Sequence, residues 1–270
     1  MESKGESRRV GLARALSKLG YCSRSRASEL IRRGEIQVNN KLTHDPELSL
    51  SLDQDKIIIA DQTIELAKKI YLVMNKPRGV VTTAWDEKGR ETVYSILAKE
   101  SQPLPWVSPV GRLDKASEGL LLLTNDSEWG ARVASPETHL PKTYHVQIDV
   151  LADEKLLASV TRGVKGSDAE LLRAGEAKLL RTGEKNCWLE IILHEGKNRQ
   201  IRRMLEALDV EVLRLIRVAI GPLQLGQLVK GNLRWLAEEE KHLLDLAMQG
   251  NKSLNRGTKS KAPNRFRREA

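Results

Sequence analysis

Apolar positions along this chain repeat with two periods, and together they predict a series of short helices and short strands. Leu12, Leu16 and Leu19 recur at helical spacing, which predicts a helix over residues 10–20 with Gly20 as its terminator. A second helix follows, with Ser23 or Ser25 as its cap, Ala27, Leu30 and Ile31 facing inward, and Gly34 at its end. Ile36 and Val38 alternate with polar residues, Asn39-Asn40 makes a turn, and Asp53-Gln54-Asp55 turns into Ile57-Ile58-Ile59. Ile70 to Met74 predicts an apolar strand running into the turn Asn75-Lys76-Pro77-Arg78-Gly79. Thr92 to Lys99 reads as a helix. The run Leu120-Leu121-Leu122-Leu123 is short and uniformly apolar, as a strand buried on both faces would be. A short helix through Glu128 to Val133 is broken by Ser135-Pro136. Tyr144, Val146 and Ile148 then share one strand face by period two. Further on, Leu156 to Val160 predicts a helix and Cys187 to Leu193 a strand. From about Asn198 a helix turns Ile201, Met204, Leu205 and Leu208 inward, and Glu238 to Met248 is the last helix.

Charge adds a second layer to this pattern. The formal net charge is +9, and it lies at the two ends of the chain. Residues 1–35 carry nine basic and four acidic side chains, while residues 251–270 carry seven Lys/Arg against Glu269. Attraction for polyanions is concentrated there, which RNA, DNA or an anionic membrane would each satisfy. The stretch after Gly250 is too polar to bury a core and is expected to be disordered when free. No apolar run approaches the eighteen residues that a spanning helix needs, and Met1 to Arg9 lacks the apolar core of a secretory signal. Cys22 and Cys187 make neither a disulfide framework nor a metal cluster, so a cytoplasmic, reduced protein is expected.

Four places carry candidate chemistry. Arg112 and Asp114 stand just before the leucine run; from spacing alone, a structural ion pair closing a loop is the leading reading. Lys197, Arg199, Arg202 and Arg203 crowd the first turns of the helix near 200, a credible phosphate or carboxylate site. Arg24, Arg26, Arg32 and Arg33 project from the start and end of the second helix, where guanidinium groups grip phosphates without reading sequence. Tyr144, an aromatic on a strand, reads as a core residue. No Gly-x-x-x-x-Gly-Lys-Ser/Thr and no Gly-x-Gly-x-x-Gly occurs, and the five histidines show no metal-ligand spacing.

Four segments, in order, change the weighting of these readings. Lys18-Leu19-Gly20-Tyr21-Cys22-Ser23-Arg24-Ser25 with Ile36-Gln37-Val38-Asn39 resembles the S4 RNA-binding domain. Gly111-Arg112-Leu113-Asp114 before the leucine run, Lys142-Thr143-Tyr144-His145-Val146, and Glu195-Gly196 with Gln200-Ile201-Arg202-Arg203-Met204 resemble RNA pseudouridine synthases of the small ribosomal-RNA branch. The resemblance covers about residues 8–236. Family members often have histidine where this chain has Arg199, a departure that touches no catalytic role.

That resemblance implies an α+β protein. A small S4 domain over 8–66 would be joined flexibly, at Ala67-Lys68-Lys69, to a catalytic domain over 67–249. The catalytic domain would hold a largely antiparallel mixed sheet flanked by helices, and a basic tail would occupy 250–270. The implied activity is isomerisation of a uridine to pseudouridine in ribosomal RNA, with no metal or redox cofactor. Asp114 would be the nucleophile at C1′ or the base at the 2′ position. Arg202 would hold Asp114 ionised, and Tyr144 would pack on the base. Arg112 would fill the vacated stack or hold the backbone. Arg24, Arg26, Arg32, Arg33, Lys197, Arg199 and Arg203 would contact RNA, and Lys76 would be a secondary phosphate contact. The implied partner is structured or partly assembled rRNA, met by a monomer without a membrane. The rival reading is a non-catalytic S4-type rRNA-binding or ribosome-assembly protein.

Overall fold

The computed structural model of the chain describes residues 9–100 and 103–256, with side chains through 249. The expected tail beyond 256 lies outside the described residues. The molecule divides into two compact units. One gathers the chain up to Lys115 with Leu121–Gly130 and Gly231–Trp235; the other holds Ala116–Leu120, Ala131–Lys230 and the chain from Leu236.

The first unit begins with the helices Leu12–Lys18 and Arg24–Arg32. Ser23 caps the second, its hydroxyl accepting from the amide of Arg26 at 3.1 Å, and satisfies one of the amides that a helix start leaves unpaired. Gly20 and Gly34 follow the two helices in the left-handed region, the terminator conformation expected of them. A four-stranded antiparallel sheet comes next, in which Ile36–Val38 and Ile57–Ile59 pair centrally. Leu12, Leu16, Ile31, Ile36, Leu50 and Ile57 fill one core beneath it.

The chain from Lys68 to Ile70 makes several tertiary contacts. Asn125 accepts from the amide of Ile70 at 2.8 Å and donates to the carbonyl of Lys68 at 2.9 Å, while Lys69 pairs with Asp126 at 2.9 Å. Upstream, Lys18 pairs with Glu128 at 3.0 Å, and the carbonyl of Gly20 accepts from the amide of Trp106 at 2.8 Å.

Nine of the remaining described strands form a mixed, mostly antiparallel sheet. In the second unit Glu176–Thr182, Cys187–Leu193, Lys142–Ile148 and Val212–Ile220 lie side by side in that order, each pair antiparallel. Val212–Ile220 then runs parallel to the start of the Glu118–Thr124 strand, with Ile216 opposite Glu118 and Arg217 opposite Gly119. In the first unit the leucine portion of Glu118–Thr124 lies beside Tyr71–Lys76, which pairs antiparallel with Leu233–Trp235. Every residue of Glu118–Thr124 is buried, as the apolar run predicts, because the strand is interior to the sheet and covered on both faces. The last helix, Glu238–Arg256, runs past its expected end at Met248.

Candidate active site

Asp114 lies in the loop between Ser108–Val110 and Glu118–Thr124, and the backbone of that loop is held at four successive carbonyls. Leu113 O accepts from the Thr82 hydroxyl at 2.7 Å, and Asp114 O accepts from Lys76 Nζ at 3.1 Å. Lys115 O accepts from the amide of Gly79 at 2.7 Å, and Ala116 O accepts from Arg202 Nη2 at 3.1 Å. A loop with no regular hydrogen-bond ladder thereby has four successive carbonyls satisfied. The donors also explain the turn at residues 75–79: Pro77 and Gly79 bend the chain so that Lys76 and the Gly79 amide both reach the loop.

Lys76 corrects one expectation. It is fully buried, and its ammonium donates to the carbonyls of Pro77 and Asp114, so it positions the loop and does not meet solvent phosphate. Among the described residues Arg112 and Asp114 form no ion pair, so the loop-closing pair allowed by their spacing is absent. Arg112 is exposed and Asp114 half-buried. Both line an open pocket with Thr82, Trp85, Arg90 and Lys115. Trp85, 80 % exposed, is invisible in the sequence, where a lone aromatic in a polar loop carries no pattern. Its loop is braced by Asp86, whose carboxylate accepts from Arg90 Nε at 3.0 Å; that contact holds the acid well below the usual carboxylate range.

In the second unit Tyr144 is half-buried, packed against the core that contains Val146, Leu189 and Leu215, with Ile191 and Arg217 directly opposite it on the neighbouring strands. Arg202 lies on the helix Gln200–Glu206 and donates to the carbonyl of Val212 at 3.1 Å as well as to Ala116. The helix starts later than its apolar pattern suggests. Arg199 sits in the left-handed region at φ 46°, and the buried Gln200 ties the turn, accepting from the Lys197 amide and donating to the carbonyl of Arg173. Lys197 and Arg203 are engaged with acids. Lys197 pairs with Glu170 and Glu195 at 3.3 Å each, and Arg203 with Asp168 and Glu170 at 2.5 and 2.9 Å. On the second helix of the S4 region, Glu29 pairs with Arg26 and Arg33, while Arg24 and Arg32 are exposed and make no ion pair among the described residues.

The second unit also buries an acid. Glu118, 2 % exposed, pairs with Arg214 at 3.1 Å and with Lys230. Arg214 and Arg181 also flank the ring of Trp188, at 5.5 and 4.7 Å. Among the described residues no group of three or more His, Cys, Asp or Glu is placed to hold a metal ion, and no helix is long and apolar enough to cross a membrane.

The chain belongs to the RNA pseudouridylate synthase family: that family's model matches residues 70–207, and the S4 domain model matches residues 10–54. It is 35 % identical, over 88 % of its length and 97 % of the relative's, to the ribosomal large subunit pseudouridine synthase B of Bacillus subtilis. It is 33 % identical to an RNA pseudouridine synthase of Aquifex aeolicus, over 86 % of its own length and 92 % of that protein. A crystal structure of a pseudouridylate synthase superposes with a TM-score of 0.60 at 28 % identity, covering 87 % of this chain and 99 % of that one. The chain is an RNA pseudouridine synthase, and RNA is its partner.

Proposed function

We propose that this enzyme converts one specific uridine of structured ribosomal RNA to pseudouridine, acting as a cytoplasmic monomer without a cofactor. Residues 8–66 bring the RNA, residues 67–249 carry out the chemistry, and the basic tail over 250–270 adds attraction. In the reaction the N1–C1′ bond breaks, uracil turns, and C5 bonds to C1′; the C5 proton is released and N1 gains one, so the product is an isomer. Asp114 acts at C1′ or at the 2′ proton. Tyr144 packs on the base, and Arg112 enters the stack that the flipped nucleotide leaves. Arg202 keeps the chain after Asp114 in place through the carbonyl of Ala116. Arg24, Arg26, Arg32, Arg33, Lys197, Arg199 and Arg203 meet the phosphates, those now paired with acids exchanging that partner for RNA.

The observation that carries this reading is the Asp114 loop, clamped at Leu113, Asp114, Lys115 and Ala116. The Bacillus subtilis relative is named for the large ribosomal subunit, so large-subunit RNA is the first place to look. Mass-spectrometric mapping of pseudouridine in both rRNAs, in a gene deletion and its parent, tests the proposal. One site should lose its modification, and the wild-type gene but not Asp114→Asn should restore it, although the variant binds RNA nearly as well. Restoration by Asp114→Asn, or the persistence of every site, would contradict it.

A further inference from the structure

Arg217 is 5 % exposed, on the central strand Val212–Ile220, and its guanidinium pairs with no carboxylate among the described residues. Its hydrogen bonding there is limited to Nε, which donates to the carbonyl of Leu120 at 2.7 Å; the buried Nη2 has no partner. A buried, under-satisfied guanidinium is costly, and its charged neighbours in this unit are better supplied. Glu118 has two cations, and both terminal nitrogens of Arg202 donate to carbonyls. Beside Arg217 stands a second cation. Lys142 opens the neighbouring strand, is half-buried, and makes no ion pair among the described residues. Burial, with Arg217 next to it, pushes its amine down to about 8. Two adjacent cations withdrawn from water, neither paired with an acid among the described residues, favour an anionic ligand.

The position of the pair says which anion. Tyr144 lies directly across from Arg217, and Lys142 is two residues before Tyr144 on the same strand face, about 6–7 Å along the strand. We propose that Lys142, backed by Arg217, binds a backbone phosphate adjoining the nucleotide whose base packs on Tyr144. This rests on the reading above that an RNA uridine is the substrate. Lys142, the less buried of the two, makes the contact, and Arg217 keeps the local potential positive. Anchoring the phosphate beside the flipped base fixes the sugar between two points, which orients C1′ for attack.

The test uses Lys142→Met, which keeps the aliphatic stem at a half-buried position, and Lys142→Arg, which keeps the charge. Binding of full-length rRNA transcripts is measured against salt for the whole chain. Lys142→Met should bind several-fold more weakly and lower the slope of log affinity on log salt by about one; Lys142→Arg should match wild type. On a mapped substrate, a neutral methylphosphonate at the contacted linkage should weaken wild type to the level of Lys142→Met, and should weaken Lys142→Met no further. An unchanged slope in Lys142→Met, or a methylphosphonate effect in that variant as large as in wild type at every linkage, would overturn the proposal. The binding arm is independent of turnover: wild type that binds RNA but forms no pseudouridine would refute the proposed function and leave the phosphate contact to be judged by its slope.

Discussion

Gly119 has a φ of 101°, and a Cβ added there would lie 2.3 Å from the carbonyl oxygen of Arg217. Both facts follow from its place in the parallel pairing of Glu118–Thr124 with Val212–Ile220, where the two backbones approach with no room for a side chain. Gly119→Ala must therefore both enter a disfavoured backbone region and push Arg217 away. We expect a loss of about 3 kcal/mol or more in stability, because neither strain can relax without separating two interior strands. Denaturant unfolding of the variant measures it; a loss below about 1 kcal/mol would mean that the strands part easily. Gly111, two residues before Leu113, also has positive φ, but a Cβ there meets nothing within 4 Å. Alanine at that position carries the backbone cost alone. The contrast separates a glycine kept for space from one kept for conformation.

At the scale of elements, the head of the Glu118–Thr124 strand is fastened by charge. Burial pushes the Glu118 carboxyl up, but the hydrogen bonds from Arg214 and Lys230 outweigh it and hold the acid below its usual range. A carboxylate depressed in the folded state contributes stability that is full above its unfolded pKa, near 4.5, and is lost as pH falls through the folded value. Glu118→Gln removes that contribution. It should cost about 1–3 kcal/mol at neutral pH, and the difference from wild type should shrink below pH 4. Thermal unfolding from pH 3 to 8 reads this directly; a gap independent of pH would assign the loss to shape and not to charge. This element also shows what is legible in the sequence. The apolar run predicts its strand and its burial because both are local properties of seven residues. The ties that fix the loop before it are not local: Arg202 reaches Ala116 from 86 residues away, and Lys76 reaches Asp114 from 38. Lys76 reads as a surface cation because lysine usually is one, and period-two patterning gives no reason to bury it. Arg217 lies on the Leu215 face of its strand, so alternation implies its burial but not its lack of an anion. Tyr144 and Asp114 stand out through motif resemblance, since spacing alone favours a core ring and a structural pair.

At the scale of the whole molecule, part of the work of holding RNA is proposed to fall to the basic ends, and that assignment is testable. The last helix runs to Arg256, so a cut after that residue leaves the described structure whole and removes five Lys/Arg and one acid with residues 257–270. A segment that merely adds attraction contributes counterion release and no sequence reading, so its removal should act on the salt dependence more than on the chemistry. For the truncated chain we expect weaker rRNA binding at low salt and a shallower slope of log affinity on log salt, by about 0.7–0.9 for each phosphate that the tail no longer neutralises. The rate at saturating RNA should be unchanged, because Asp114, Tyr144 and Arg202 and the carbonyl ties around them are all retained. Binding isotherms from low to moderate salt, paired with single-turnover pseudouridine formation, test both halves. An unchanged slope would make the tail a bystander and assign the attraction to the arginines of the Arg24–Arg32 helix. A slope that falls together with the saturated rate would instead require the tail to help place the target nucleotide, a role that charge alone does not supply.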